Sequence, residues 1–257
     1  MLCAIILSIE SVNFIPPHYV GGTSASIIDK RNELSGIIKS NYNSNYKDIT
    51  VDYEDIIVSG GSKNLSQSAL NNEYNKNHDI QISDTCAEVG TTILIEYKNF
   101  EENKLKNDEE IFTDVMDKAI DNNFWDIDEG YTQSNNIAKL LKKSINIYNK
   151  NLKVKDVNPL IFDRTIIMSN IRNNIKNNNT MLLVCKNHTM HVVGCITCTV
   201  KYSKKFLFFD IKGTDKFEYL IVNDGWQDAS SNEEDKQYSY YPVNEIGARF
   251  RLSFAQK

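Results

Sequence analysis

Cysteine is scarce in this 257-residue chain, and what little there is does not form a framework. Cys3, Cys86, Cys185, Cys195 and Cys198 are an odd and widely scattered set, so at least one thiol is expected to stay free. No apolar run reaches the length of a bilayer span. Met1 to Ile9 is apolar but too short, and it lacks the basic flank of a signal peptide. Residues 1–15 read either as a signal peptide whose start lies upstream or as a buried strand. The first reading implies a secreted or cell-surface protein, and the second leaves a cytoplasmic one. A surplus of positive charge is also missing: 29 Lys and Arg against 34 Asp and Glu give a net charge of −5. That argues against a general electrostatic grip on nucleic acid or on anionic membrane. Gly21-Gly22 and Gly60-Gly61 sit in no strand-to-helix phosphate-binding pattern and read as turns. His78 has no second ligand at metal spacing, so neither a zinc site nor a cofactor is expected.

What is present is an ordinary globular composition, 41% apolar and 25% charged, in a chain long enough to bury a proper core. The abundance of Asn, Lys and Ile fits AT-rich coding better than any function. Helical spacing runs from Ile27 to Lys39, and Ile49 to Val58 alternates as a strand. Residues 63–78 are polar and Asn-rich and read as a boundary or exposed connection. Residues 101–130 hold eleven Asp or Glu against three Lys, as on a solvated face, with an amphipathic stretch at Ile111 to Ile120. Ile137, Leu140, Leu141, Ile145 and Tyr148 mark a clear helix, and Asp163 to Asn177 repeats the pattern. The period then changes. Met181 to Cys185, His188 to Lys201, Phe206 to Ile211 and Phe217 to Val222 are short β-branched or aromatic runs that predict an antiparallel sheet. Helices followed by strands predict an α+β fold with a cleft between a helical lobe and a sheet lobe.

One stretch carries chemical promise. Thr85 and Glu88 are spaced as a capping box before the apolar positions Val89, Ile93 and Tyr97, which places Cys86 in the first turn of a buried helix. Free N–H groups and the positive end of the helix dipole favour a thiolate there and would polarise a carbonyl oxygen. The plain alternative is a cysteine packed inertly in a core. In the sheet half, Asn187 to Gly194 places His188 at the mouth of an apolar strand, and Tyr219 to Trp226 ends another strand on Asp224 and an aromatic.

These residues resemble the papain-like cysteine peptidases, especially bacterial members related to bacteriocin-processing peptidases. In that family a cysteine opens a long helix, a histidine precedes a strand glycine by six residues, and an Asp or Asn stands two residues before an aromatic. Here Gly194 follows His188 by six, and Trp226 follows Asp224 by two. The resemblance covers roughly residues 79 to 250. It implies Cys86 as nucleophile, His188 as general base and acid, Asp224 as the group that orients the imidazole, and Trp226 as a shield over that pair. Gln81, five residues before Cys86, is the nearest oxyanion donor, although the family spacing is one longer. The Cys-Gly-x-Cys-Trp context of papain is missing, and the interval of 102 residues from Cys86 to His188 is shorter than papain's.

His191 competes with His188 but, three residues along a strand, falls on the opposite face. Asn223 competes with Asp224. Cys195-Ile196-Thr197-Cys198 spells C-x-x-C within a strand, where packing is the better reading than redox chemistry. The expected organisation is residues 1–15, an N-terminal region 16–75 that is a candidate pro-segment, and a peptidase-like domain 76–257. The expected activity is thiol hydrolysis of a peptide or protein, with no nucleic acid and no integral membrane segment. Amide transfer of the transglutaminase kind by the same triad, and an inactive papain-like binding protein, are the alternatives.

Overall fold

The computed structural model describes residues 28, 31–59, 65–101, 106–157, 164–185, 188–225, 238–246 and 250–256. Among these residues the fold is α+β, with six α-helices and a seven-stranded antiparallel sheet. The sheet contains β1 (Tyr46–Ile57), β4 (Lys153–Val157), β5 (Met181–Cys185), β6 (His188–Phe206), β7 (Phe209–Asn223), β8 (Ser239–Pro242) and β9 (Phe250–Gln256). Its order is β4-β9-β5-β6-β7-β8, with β1 added against β6. A small separate ladder pairs β2 (Trp125–Asp126) with β3 (Tyr131–Thr132).

Alternation along β5 shows how the sheet is covered. Leu182 and Val184 join one core with the buried faces of α3 (Cys86–Glu101), α4 (Asp108–Asp121) and α5 (Ile137–Tyr148). Met181 and Leu183 join a second core with Leu34 and Ile38 of α1 (Arg31–Ser40) and with Met168, Ile171 and Ile175 of α6 (Arg164–Lys176). Successive side chains of a strand point to opposite faces, so helices pack on both sides of the sheet. Local rules place the helix ends where sequence spacing suggests. Asn107 and Glu110 form a reciprocal capping box that starts α4, and the Ile137, Leu140, Leu141 and Ile145 stripe of α5 is fully buried.

β6 organises the sheet. Along one edge its first residues pair with β5 and its later ones with β1, while β7 runs along the other edge. The change of neighbour falls at a bulge between Val192 and Gly194, and Gly194 meets the backbone of β1 there. A Cβ on Gly194 would lie 2.5 Å from the Ile56 carbonyl oxygen, so only glycine lets β1 approach.

Two expectations are corrected. Phe206 to Ile211 is not a separate strand: β6 and β7 form one long hairpin, turned at Leu207 and Phe208 with no Gly, Asn or Pro to announce the turn. Residues 67–77, read as a connection, form α2 (Gln67–Asn77), started by the Ser66 hydroxyl accepting from the Ala69 N–H at 3.3 Å. The described part of region 16–75 contributes to the same sheet and core. β1 pairs with β6, Ile28 bridges Tyr240, and Leu34 and Ile38 lie in the second core. Residues 1–15 and Trp226 lie outside the described residues.

Candidate active site

Residues 82–85, which lead into Cys86, carry no regular structure of their own apart from one bridge from Asp84 to Tyr131, so their backbone groups need partners from elsewhere. α2 supplies them. Gln67, Asn71 and Asn75 recur every four residues and therefore share one helix face. Asn75 Oδ1 accepts from the Ile82 N–H at 2.9 Å, and its Nδ2 donates to the Ile82 carbonyl at 3.3 Å. Asn71 Nδ2 and Gln67 Nε2 both donate to the Ser83 carbonyl, the second at 2.9 Å. Asn71 Oδ1 also accepts from the buried Thr85 hydroxyl at 2.6 Å. At the start of α2 the Gln67 N–H donates to the Gly225 carbonyl at 2.8 Å. One helix thus ties the approach to Cys86 to the loop that follows Asp224.

Cys86 opens α3 as expected, but the capping box does not form. The Thr85 N–H is spent on the Ser83 carbonyl, its hydroxyl donates to Asn71, and the Glu88 carboxylate turns inward to accept from the Thr132 hydroxyl. Only the Thr85 carbonyl plays its capping part, accepting from the Val89 N–H at 2.9 Å. Glu88 is fully buried, and its second carboxylate oxygen has no partner among the described residues. Burial lifts its pKa to about 7 against the pull of the Thr132 hydrogen bond.

Cys86 is a half-buried free thiol that meets β6 at Thr189, whose backbone and hydroxyl hydrogen-bond to it. Burial pushes the thiol up to about 11, outweighing the lowering by Thr189 and by the Ala87 backbone, and the charge of Glu88 pushes the same way. A thiolate at neutral pH, expected from the helix N-terminus alone, is therefore not the resting form. Desolvation wins over the dipole.

His188 is the first residue of β6, next in the chain to the residue that holds the thiol. It is buried, and its Nε2 lies 3.0 Å from the main-chain carbonyl of Asp224. A carbonyl oxygen can only accept, so this bond assigns the proton to Nε2 and leaves Nδ1 as the basic nitrogen. Burial lowers the imidazole pKa to about 4, partly opposed by that bond. The expected Asp224 contact therefore comes from its backbone, while its buried carboxylate accepts from the Ser239 hydroxyl at 3.2 Å. Gly225, at φ +77°, turns the chain next, and a Cβ there would lie 3.2 Å from Val89 on α3. The turn at Gly225 is thereby held against α3.

His191 and Asn223 lie on the face of the sheet that α3 covers. His191 pairs across to Leu182 on β5 and to Asn223 on β7, and both His191 and Asn223 are buried. It shares the Thr189 face, as alternation requires, and burial lowers its pKa to about 3. Gln81 is exposed on the segment before Ile82. Cys195 and Cys198 are free and buried in β6, and desolvation raises both thiols. Among the described residues no cluster of three His, Cys, Asp or Glu could hold a metal, and no helix is long and apolar enough to cross a membrane.

Sequence reasoning does not identify the clamp of Gln67, Asn71 and Asn75, or Thr189 and Ser239. The first has a readable signal, amide side chains at a period of four. The others depend on strand pairing that no local pattern discloses. No protein-family model, curated protein or solved structure matches the chain.

Proposed function

We propose that this protein is a thiol hydrolase with a papain-like arrangement, acting on peptide or protein substrates through Cys86, His188 and Asp224. The observation that carries the reading is the meeting of three elements at one place. The N-terminus of α3 presents Cys86 to Thr189, and the preceding residue, His188, has its ring anchored by the Asp224 carbonyl at 3.0 Å. That ring, at the first position of β6, must reach round the strand end to the α3 face.

In this reading the resting pair is a neutral thiol and a neutral imidazole. His188 Nδ1 takes the thiol proton as the Cys86 sulfur attacks the substrate carbonyl carbon. The tetrahedral oxyanion forms at the start of α3, where unsatisfied backbone N–H groups point outward. The C–N bond breaks as the imidazolium returns its proton to the leaving amine, giving a thioester on Cys86. Water, deprotonated by His188, hydrolyses that thioester and regenerates the thiol. Gln81, exposed and near in sequence, is the side-chain donor for the oxyanion. Trp226, two residues beyond Asp224, is the shield.

A second reading is favoured by one observation: His191 and Asn223 are directly paired across β6 and β7 on the face that Cys86 meets. Their complete burial makes them a poorer base and orienter than the pair at the strand mouth. The test is labelling of Cys86 by an acyl-transferring peptide probe in the full chain and in Cys86→Ala, His188→Ala and His191→Ala. Labelling lost in the first two and kept in the third supports the proposal. Labelling that survives His188→Ala but not His191→Ala supports the second reading. Release of hydrolysed product, rather than incorporation of an added amine, separates hydrolysis from amide transfer. A folded protein whose Cys86 resists every acylating probe would be a papain-like binding protein.

A further inference from the structure

The β6–β7 hairpin ends in an apolar tip. Phe206 and Phe209 are its last cross-strand pair, and Leu207 and Phe208 make the turn between them. Phe208 is 93% exposed, Leu207 73% and Phe209 71%, with Phe206 and Ile211 also exposed. β1 stops pairing with β6 at Lys204, and β8 meets β7 only from Tyr219 onward, so the tip projects past its neighbours. Leu207 holds φ at +53°, a conformation that favours Gly or Asn. An apolar side chain is therefore kept both in water and in an unfavourable backbone conformation, which stability alone does not explain.

Charge says what the tip meets. Lys204, Lys205 and Lys212 stand behind it on the hairpin and Lys47 beside them on β1, against Asp210 and Asp48, in a chain whose net charge is −5. Lys205 and Lys212 are exposed, and Lys204 leans over the Tyr46 ring with its nitrogen 5.1 Å from the centroid. Asp215 is engaged by the Tyr42 hydroxyl at 2.7 Å. An acidic protein with one basic, apolar-tipped projection approaches an anionic surface tip first. We propose that this tip is a docking element for an anionic lipid bilayer. Phe206, Leu207, Phe208 and Phe209 enter the boundary between headgroups and acyl chains, and the lysines sit at the level of the phosphates. The turn's backbone amides need polar partners, so entry stops at that boundary. The exposed Phe206, Leu207, Phe208 and Phe209 are bounded directly by the charged Lys205–Asp210 pair, an apolar end with a polar collar that suits shallow entry into a fluid interface. Overall charge argues against a general grip on such membranes, and the hairpin replaces it with a local one.

The test is co-sedimentation of the full chain with phosphatidylcholine vesicles, with and without phosphatidylserine. Binding is expected only with phosphatidylserine and falls as salt rises. The variant Leu207→Gly with Phe208→Asn puts glycine at the one turn position with positive φ, so it keeps the fold while removing two apolar anchors. It is expected to bind roughly tenfold more weakly or worse. Sedimentation equal on both vesicle types overturns the proposal, as does undiminished binding by a variant with native circular dichroism. A wild type that ignores vesicles but self-associates, with a monomeric turn variant, assigns the tip to contact between copies instead.

Discussion

Asn71 is the centre of the polar clamp on the segment before Cys86, and replacing it tests whether the clamp holds the site. Asn71→Ala removes the acceptor of the Thr85 hydroxyl and one of three donors to the Ser83 carbonyl. The Ser83 carbonyl keeps Gln67, so its loss is small. Thr85 is fully buried, and its hydroxyl would be left without an acceptor. A lost hydrogen bond contributes about 1 kcal/mol and an orphaned buried hydroxyl about 1–3 kcal/mol, so the expected destabilisation is about 2–4 kcal/mol. For a chain of this size that lowers Tm by roughly 4–16 °C. Urea unfolding read by circular dichroism should show a lower midpoint with an unchanged slope. The discriminating comparison is Thr85→Val, which removes the hydroxyl itself. In Asn71→Ala with Thr85→Val no orphan remains, so the double variant should be more stable than the two single losses added together predict, by about 1 kcal/mol or more. Strict additivity would refute the reasoning. The acylation rate of Cys86 should fall in Asn71→Ala even where the protein remains folded, because the segment that aims the thiol loosens.

Gly194→Ala forces a Cβ to 2.5 Å from the Ile56 carbonyl oxygen, and urea unfolding should show a loss of about 1–3 kcal/mol or more. For Glu88 the folded pKa is raised from 4.5 to about 7, so the folded state binds the extra proton between those values and stability falls as pH rises through that window. The lowered pKa values of His188 and His191 act with the opposite sign at acid pH, so the measurement is the stability difference between wild type and Glu88→Gln. That difference should shift by about 3 kcal/mol in favour of the variant from pH 4.5 to pH 7, and a flat difference would refute it. With the thiol at about 11 and the imidazole at about 4, alkylation of Cys86 by iodoacetamide should accelerate steadily from neutral pH towards pH 10, and a plateau reached below pH 7 would contradict the neutral pair. Because the Asp224 carbonyl already assigns the tautomer, Asp224→Asn should keep turnover within roughly tenfold of wild type, and a collapse of several orders of magnitude would show that the carboxylate orients the ring.

The long apolar periods are legible in the residues alone. The α5 stripe follows from spacing because burial of one face dominates it, and β5 reads as a continuous apolar run because both its faces are buried. In contrast, α3 starts at Cys86 as expected although the capping box behind that expectation does not form. What escapes such reading is specified by partners. α2 has few apolar residues, and its role lies in amide groups that bond another segment. β4, β8 and β9 are short strands recruited by pairing. The hairpin turn carries Leu and Phe where turn residues belong, so no local chemistry marks it. At the candidate site the residue types are readable, but the use of the Asp224 backbone and the desolvation of Cys86 are not. Both depend on how far the sheet and helix bury the pair.

β6 is nineteen residues long, with His188 at its first position and Phe206 at its last. At about 3.3 Å per residue such a strand spans roughly 60 Å, somewhat less once twisted. Continuous pairing along both flanks makes it a stiff mast rather than a tether. A tip seated on a surface therefore holds the thiol tens of ångströms above it. Targets lying flat against that surface would be out of reach, while segments standing well clear of it, or diffusing past in solution, would come within range.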